Sequence, residues 1–243
     1  MTGREYWPTA VNVLEAAQTS DPGLRARLLN TIHELAEDNH ALTLPGEALR
    51  RIAQAIAAED RDVDWSEPGV TKLFRNPASI TDLEIQAIRA AIAAEEENFN
   101  AVHEEARIKL KPHIKDAGGM KRWRTPASYI EEFWTSQENI GPYIQALWTS
   151  WGLVGDAPLD RLLMQDTWRL YFDGWGAANY ARAVEHPQRG KVQYSDLTQL
   201  SYLGPFYDRV LVTEDKEFRD LGNAILRGRY GLAEIVSFDM LVA

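Results

Sequence analysis

The last thirty-odd residues constrain the fold most. Arg209-Val210-Leu211-Val212-Thr213 is a short apolar run of β-branched and aliphatic residues. Ala233 to Phe238 (AEIVSF) is a second, and Lys216 to Leu226 between them carries helical periodicity. Two strands joined through a helix pair in parallel, because a tight hairpin cannot reverse the chain over that distance. A parallel pair is covered by helices, so this end of the chain predicts an α/β layer.

The rest reads as helix. Thr9 to Ala17 predicts a short helix with Val11, Leu14 and Ala17 on one face. Asp21-Pro22 opens a second, with Leu24, Leu28, Leu29, Ile32 and Leu35 as its apolar positions. Pro45 to Ala58 predicts a third, through Leu49, Ile52 and Ile56. Asp60 to Ser79, with Pro68, Gly69 and Pro77, predicts a connection. Thr81 and Glu84 form a capping box for a long helix ended by Pro112. Gly118-Gly119 breaks the chain and Thr125-Pro126 restarts it. Ile144, Leu147, Trp148 and Trp151 share one face of the next helix, and Pro158 to Glu185 is helical with a break expected at Gly174 and Gly176. Ser195 to Tyr202 predicts a short helix. Trp134, Trp148, Trp151, Trp168 and Trp175 are expected in the core.

Composition narrows the function. A chain of 243 residues without cysteine forms no disulfide or thiolate metal site, and this fits a reducing, cytoplasmic setting. No apolar run reaches the length of a membrane span. The net charge of -10 opposes general binding of nucleic acid at long range. Against that background, Arg107, Lys109, Lys111, Lys115, Lys121, Arg122 and Arg124 form one basic tract, with Trp123 available to stack on a base. Lys121, Arg122 and Arg124 are the nucleic-acid-binding candidates. The five histidines make no metal-ligand spacing with one another.

Ser195-Asp196-Leu197 opens a helix, and the strand at Val210 ends in Thr213-Glu214-Asp215, followed by a helix with Phe218 near its start. This acid-helix-strand-Thr-x-Asp order resembles the PIN-like nuclease family over residues 190–243. A weaker likeness covers residues 4–17, where the Tyr6 to Glu15 run fits the element that carries another family acid. The resemblance implies a helix-rich α/β fold with a short parallel sheet. It makes 1–243 one PIN-like domain, 20–188 a mostly helical insertion and 190–243 the C-terminal α/β portion. It implies a divalent-metal-dependent ribonuclease of toxin or defence type. Asp196, Asp215 and Glu15 would hold Mg²⁺ or Mn²⁺, and Glu47 is a weaker substitute for Glu15. Physical chemistry agrees: ligands bind beyond the carboxyl ends of parallel strands, and converging carboxylates call for a hard cation.

The resemblance departs at the start, where no counterpart of the family's first, Asp-bearing strand precedes Tyr6. A late start, a partner-supplied strand or loss of activity each accounts for that. The alternative expectation is therefore a non-catalytic PIN-like interaction protein that forms a homodimer or binds an antitoxin-like partner. A third reading is a metal-independent helical ribonuclease of the HEPN kind. It uses Arg107 with His113 or Arg27 with His33, although Ile108 and Leu28 stand where a polar residue is expected.

Overall fold

The computed structural model describes residues 5–60, 62–184, 197–204, 209–226, 234–237 and 239–240. The helices are α1 (Ala10–Ala17), α2 (Pro22–Ala36), α3 (Pro45–Ala57), α4 (Pro68–Arg75), α5 (Asp82–Asp116), α6 (Pro126–Tyr129), α7 (Gln137–Ser150), α8 (Leu159–Leu163), α9 (Asp166–Val184) and α10 (Lys216–Leu226). The strands are β1 (Val210–Val212) and β2 (Glu234–Val236). The class is helix-rich α/β, as expected. No helix among the described residues is long and apolar enough to cross a membrane. The chain forms two compact units, Met1–Arg51 with Asp62–Asn98 and Ile52–Arg61 with Phe99–Ala243; the division falls within α3 and α5.

The first unit is held by short extended segments as much as by helices. Thr9 pairs in parallel with Leu42, and Leu42 pairs antiparallel with Ser66. Thr9 caps α1 and Asp21 caps α2, each side chain accepting from a backbone N–H three residues on. The core comprises Val13, Ala16, Ala17, Leu29, Ile32, Ala36, Ala41 and Phe74. The buried stripe of α1 is therefore Ala10, Val13, Ala16 and Ala17, with Val11 and Leu14 only half-buried. On α2 the expected Leu24, Leu28 and Leu35 are exposed. Packing partners choose which of two adjacent apolar stripes faces inward, and α4 and α1 both lie against the Leu29–Ile32 side. The expected connection over 60–79 contains α4, because Pro68 occupies the first helical turn, where a missing N–H costs nothing.

Polar wiring closes this unit. Glu47 binds Arg50 at 2.7 Å and Arg51 at 2.9 Å. The Arg51 guanidinium also reaches the carbonyls of Asp64 and Ser66 and the Glu67 carboxylate. Burial pushes the Glu47 carboxyl up, but hydrogen bonds and charge from Arg50 and Arg51 outweigh it and hold it below the ordinary value of 4.5. Arg75 caps the end of α2 through the carbonyls of Glu37 and Asn39.

The second unit is built around α9. Every residue from Tyr171 to Tyr180 is buried, so the helix is covered on all sides. Trp134, Trp168, Tyr129 and Phe172 are among its largest fully buried side chains. Trp148 and Trp175 are buried as expected, and Trp151 is half-buried with its edge on Trp168. The expected break at Gly174 and Gly176 does not occur: α9 runs through both. They are glycines for space. A Cβ on Gly174 would stand 2.3 Å from the Leu197 carbonyl oxygen, and one on Gly176 would stand 2.5 Å from the Trp134 ring. The Trp134 indole N–H donates to the Phe172 carbonyl at 2.6 Å. The end expected at Pro112 is also passed, since α5 continues to Asp116. Pro112 leaves the Ile108 carbonyl without its helical donor, and Ile108 is exposed, so that carbonyl is open to solvent. The positive φ values of Gly118 and Gly119, 100° and 80°, then turn the chain away.

β1 and β2 pair in parallel, Leu211 opposite Ile235, joined through α10. Gly222 of α10 lies where a Cβ would meet the Ile235 side chain at 2.2 Å and Leu200 at 3.2 Å.

Gly176→Ala is expected to destabilise the chain by about 1–3 kcal/mol, since the methyl enters the Trp134 ring. Gly46→Ala, on α3 with nothing within 4 Å of the new methyl, is expected to stabilise by up to about 1 kcal/mol. Urea unfolding measures both. A depressed Glu47 pKa adds stability that is complete above the ordinary carboxylate value and lost as pH falls through the folded one. The urea midpoint of the parent should therefore drop more steeply below about pH 4.5 than that of Glu47→Gln.

Candidate functional site

Asp215 stands three residues beyond the end of β1, at the carboxyl edge of the parallel pair. The local chemistry fixes it there. The Thr213 N–H donates to the Val236 carbonyl at 2.9 Å, which keeps the chain on the sheet. The Thr213 hydroxyl oxygen accepts from the Asp215 N–H at 3.1 Å, and Arg219 donates to the Thr213 carbonyl. The carboxylate Oδ1 then accepts from the Phe218 N–H at 2.9 Å, so Asp215 is the N-cap of α10. The residue is exposed, and among the described residues its other oxygen, Oδ2, has no hydrogen-bond partner. One carboxylate thus caps a helix and offers a free, hard oxygen at the open end of the sheet.

Asp196 and Ser195 lie outside the described residues. Leu197, the next residue, is fully buried, and its carbonyl oxygen is the atom that α9 approaches at Gly174. The Leu197–Gly204 segment continues against α9, where a Cβ on Gly204 would come within 2.3 Å of the Thr167 nitrogen. Its Leu200 packs on α10 and its Tyr202 carbonyl accepts from Arg209, just before β1. The segment that follows Asp196 and the helix that Asp215 caps therefore belong to one packed group.

The remaining expected residues take these places. Glu15 is an exposed residue of α1 in the first unit, where its carbonyl accepts from Thr19. Glu47 is engaged by Arg50 and Arg51. Lys121 and Arg122 lie on a single 3₁₀ turn, Met120–Arg122, and these two side chains and that of Arg124 are exposed. Trp123 is corrected: it is only 3% exposed and unable to stack on a base. Its ring meets Tyr129 edge-on at 5.2 Å, and its carbonyl accepts from the Tyr180 hydroxyl. Arg27 and His33 share one continuous helix six residues apart, which turns their side chains roughly 120° from each other. The side chain of Arg107 lies outside the described residues.

Among the described residues no three His, Asp or Glu side chains gather as a metal-binding group. The donor chemistry at Asp215 nevertheless suits Mg²⁺ or Mn²⁺, which take carboxylate oxygen. Sequence reasoning missed Asp173. This acid of α9 is 2% exposed and immediately precedes Gly174, the residue that meets Leu197. The signal was a lone carboxylate inside the apolar run Leu170 to Trp175, a costly place for a charge.

The two roles of Asp215 separate by substitution. Asp215→Asn keeps an accepting oxygen and is expected to leave stability within about 0.5 kcal/mol, while Asp215→Ala loses about 1 kcal/mol, both read from urea unfolding. No family model, curated protein or solved structure matches this chain.

Proposed function

We propose that the chain is a PIN-like, divalent-metal-dependent endoribonuclease, with Asp196 and Asp215 as metal-holding acids. The supporting observation is the parallel β1–α10–β2 crossover that carries an exposed Asp215 at its carboxyl edge, with Oδ2 unengaged among the described residues. Open parallel sheets bind ligands at that edge. Mg²⁺ or Mn²⁺ held there supplies charge stabilisation for a phosphodiester and lowers the pKa of a bound water. The chain's own part is to position the oxygens. Thr213 and Arg219 fix the loop, and capping through Oδ1 fixes the carboxylate rotamer. Leu197, the residue that follows the other acid in sequence, is itself held against α9 at Gly174.

Metal-dependent cleavage of RNA, followed with Mn²⁺ or Mg²⁺ and abolished by EDTA, is the expected activity. Asp196→Asn and Asp215→Asn should each lower the rate by at least the ~10–100-fold that loss of even an outer-shell partner costs. Asp215→Asn does so without the stability loss of Asp215→Ala. Cleavage that persists in EDTA, or that neither substitution slows, defeats the proposal. A chain that neither cleaves RNA nor binds metal is instead the interaction protein of the alternative reading.

A further inference from the structure

We infer that the carboxyl end of α5 and the turn after it form a landing surface for the sugar–phosphate backbone of single-stranded RNA, contacted without regard to base. The inference rests on the ribonuclease reading for the identity of the polyanion, and on charge and exposure for its place.

Residues 107–124 hold seven Lys and Arg and one acid, Asp116, in a chain of net charge -10. The side chains of Lys111, Lys115, Lys121 and Arg124 are exposed, and among the described residues none meets an acidic group. Arg122 reaches Glu132 only at 4.0 Å, with both side chains more than half exposed. Cations in a last helical turn complement the helix dipole, and this accounts for Lys115. It does not account for Lys121 and Arg124, which follow the Gly118–Gly119 turn. Lys111 and Lys115, four apart on α5, repel one another. Four exposed cations, Lys111, Lys115, Lys121 and Arg124, with no acidic partner among the described residues of an acidic chain, call for an anionic partner.

The arrangement favours a flexible strand. Lys111 and Lys115 share one side of α5, and Lys109 and His113 share another, where they line a groove of about 320 Å³ with Glu138 and Tyr143 of α7. Charges spread around a helix end do not form a fork for one carboxylate or a flat patch for a rigid protein. A polyanion with a charge at every residue can follow them. Trp123, the aromatic residue within the tract, is buried, so stacking on it cannot add base preference.

The test is fluorescence anisotropy of the full chain with labelled U and A oligomers of about 20 nucleotides, in EDTA. Both should bind at about 50 mM salt, within about threefold of each other, with log K falling linearly against log salt. Lys121→Glu with Arg124→Glu should weaken binding more than about tenfold and reduce the salt slope by about 1.4, and Lys111→Glu with Lys115→Glu should act likewise. Both pairs alter exposed side chains, and circular dichroism verifies the fold. Absence of RNA binding, binding that neither pair alters, or retention of polyglutamate but not RNA overturns the inference; the last would mark an acidic protein partner. Because EDTA suppresses metal chemistry, lost binding speaks against this surface. Intact binding without Mn²⁺-dependent cleavage speaks against the catalytic reading alone.

Discussion

The second unit depends on burying the Tyr171–Tyr180 stretch of α9 around its whole circumference. A helix enclosed on every side needs neighbours close to its backbone, and close approach needs missing side chains. Gly174 admits the Leu197 carbonyl and Gly176 admits the Trp134 ring. The same contact gives the Trp134 indole N–H its acceptor at Phe172. Around this, Trp168, Phe172 and Trp175 run along the helix as neighbouring stacked rings. The glycines interrupt helical propensity at a cost of about 1 kcal/mol each, and the packing they admit offsets it.

The enclosure also organises the C-terminal layer. Leu197 to Gly204 is pressed against α9, Leu200 continues the contact to α10, and Gly222 lets α10 sit against Ile235 of β2. Among the described residues three pairs join β1 to β2, and a two-stranded pair of that length does not stand alone. α10 supports the short sheet by packing on Ile235 of β2. Asp215, at the sheet's open edge, caps the same helix that packs on the sheet.

The first unit uses another device. Among the described residues its extended segments pair through single bridges. Cohesion therefore relies on side chains that satisfy backbone groups. The Thr71 hydroxyl accepts from the Ala41 N–H and donates to the Glu67 carbonyl, and the Asn39 amide donates to the Tyr6 carbonyl. Arg51 ties α3 to the 64–67 segment in the same way. Glu47 belongs to this wiring, which explains an acid near a helix start without any chemistry.

The sequence by itself determined whatever depends on near neighbours. The caps at Asp21 and Thr81 were legible because a cap acts over three residues. So were the bounds of α10 and the parallel strands on either side of it, since a strand-helix-strand run admits one pairing sense. The place of Asp215 followed from those. Tertiary structure alone decided which apolar stripe of α1 and α2 turns inward, that Pro68 starts a helix and Pro112 interrupts none, and that Trp123 packs inside a basic tract. It also decided that Gly174 and Gly176 are points of contact and not breaks, and that Asp173 is buried. Each of those outcomes is set by atoms brought close from far along the chain, and a local pattern carries no record of what will press against it.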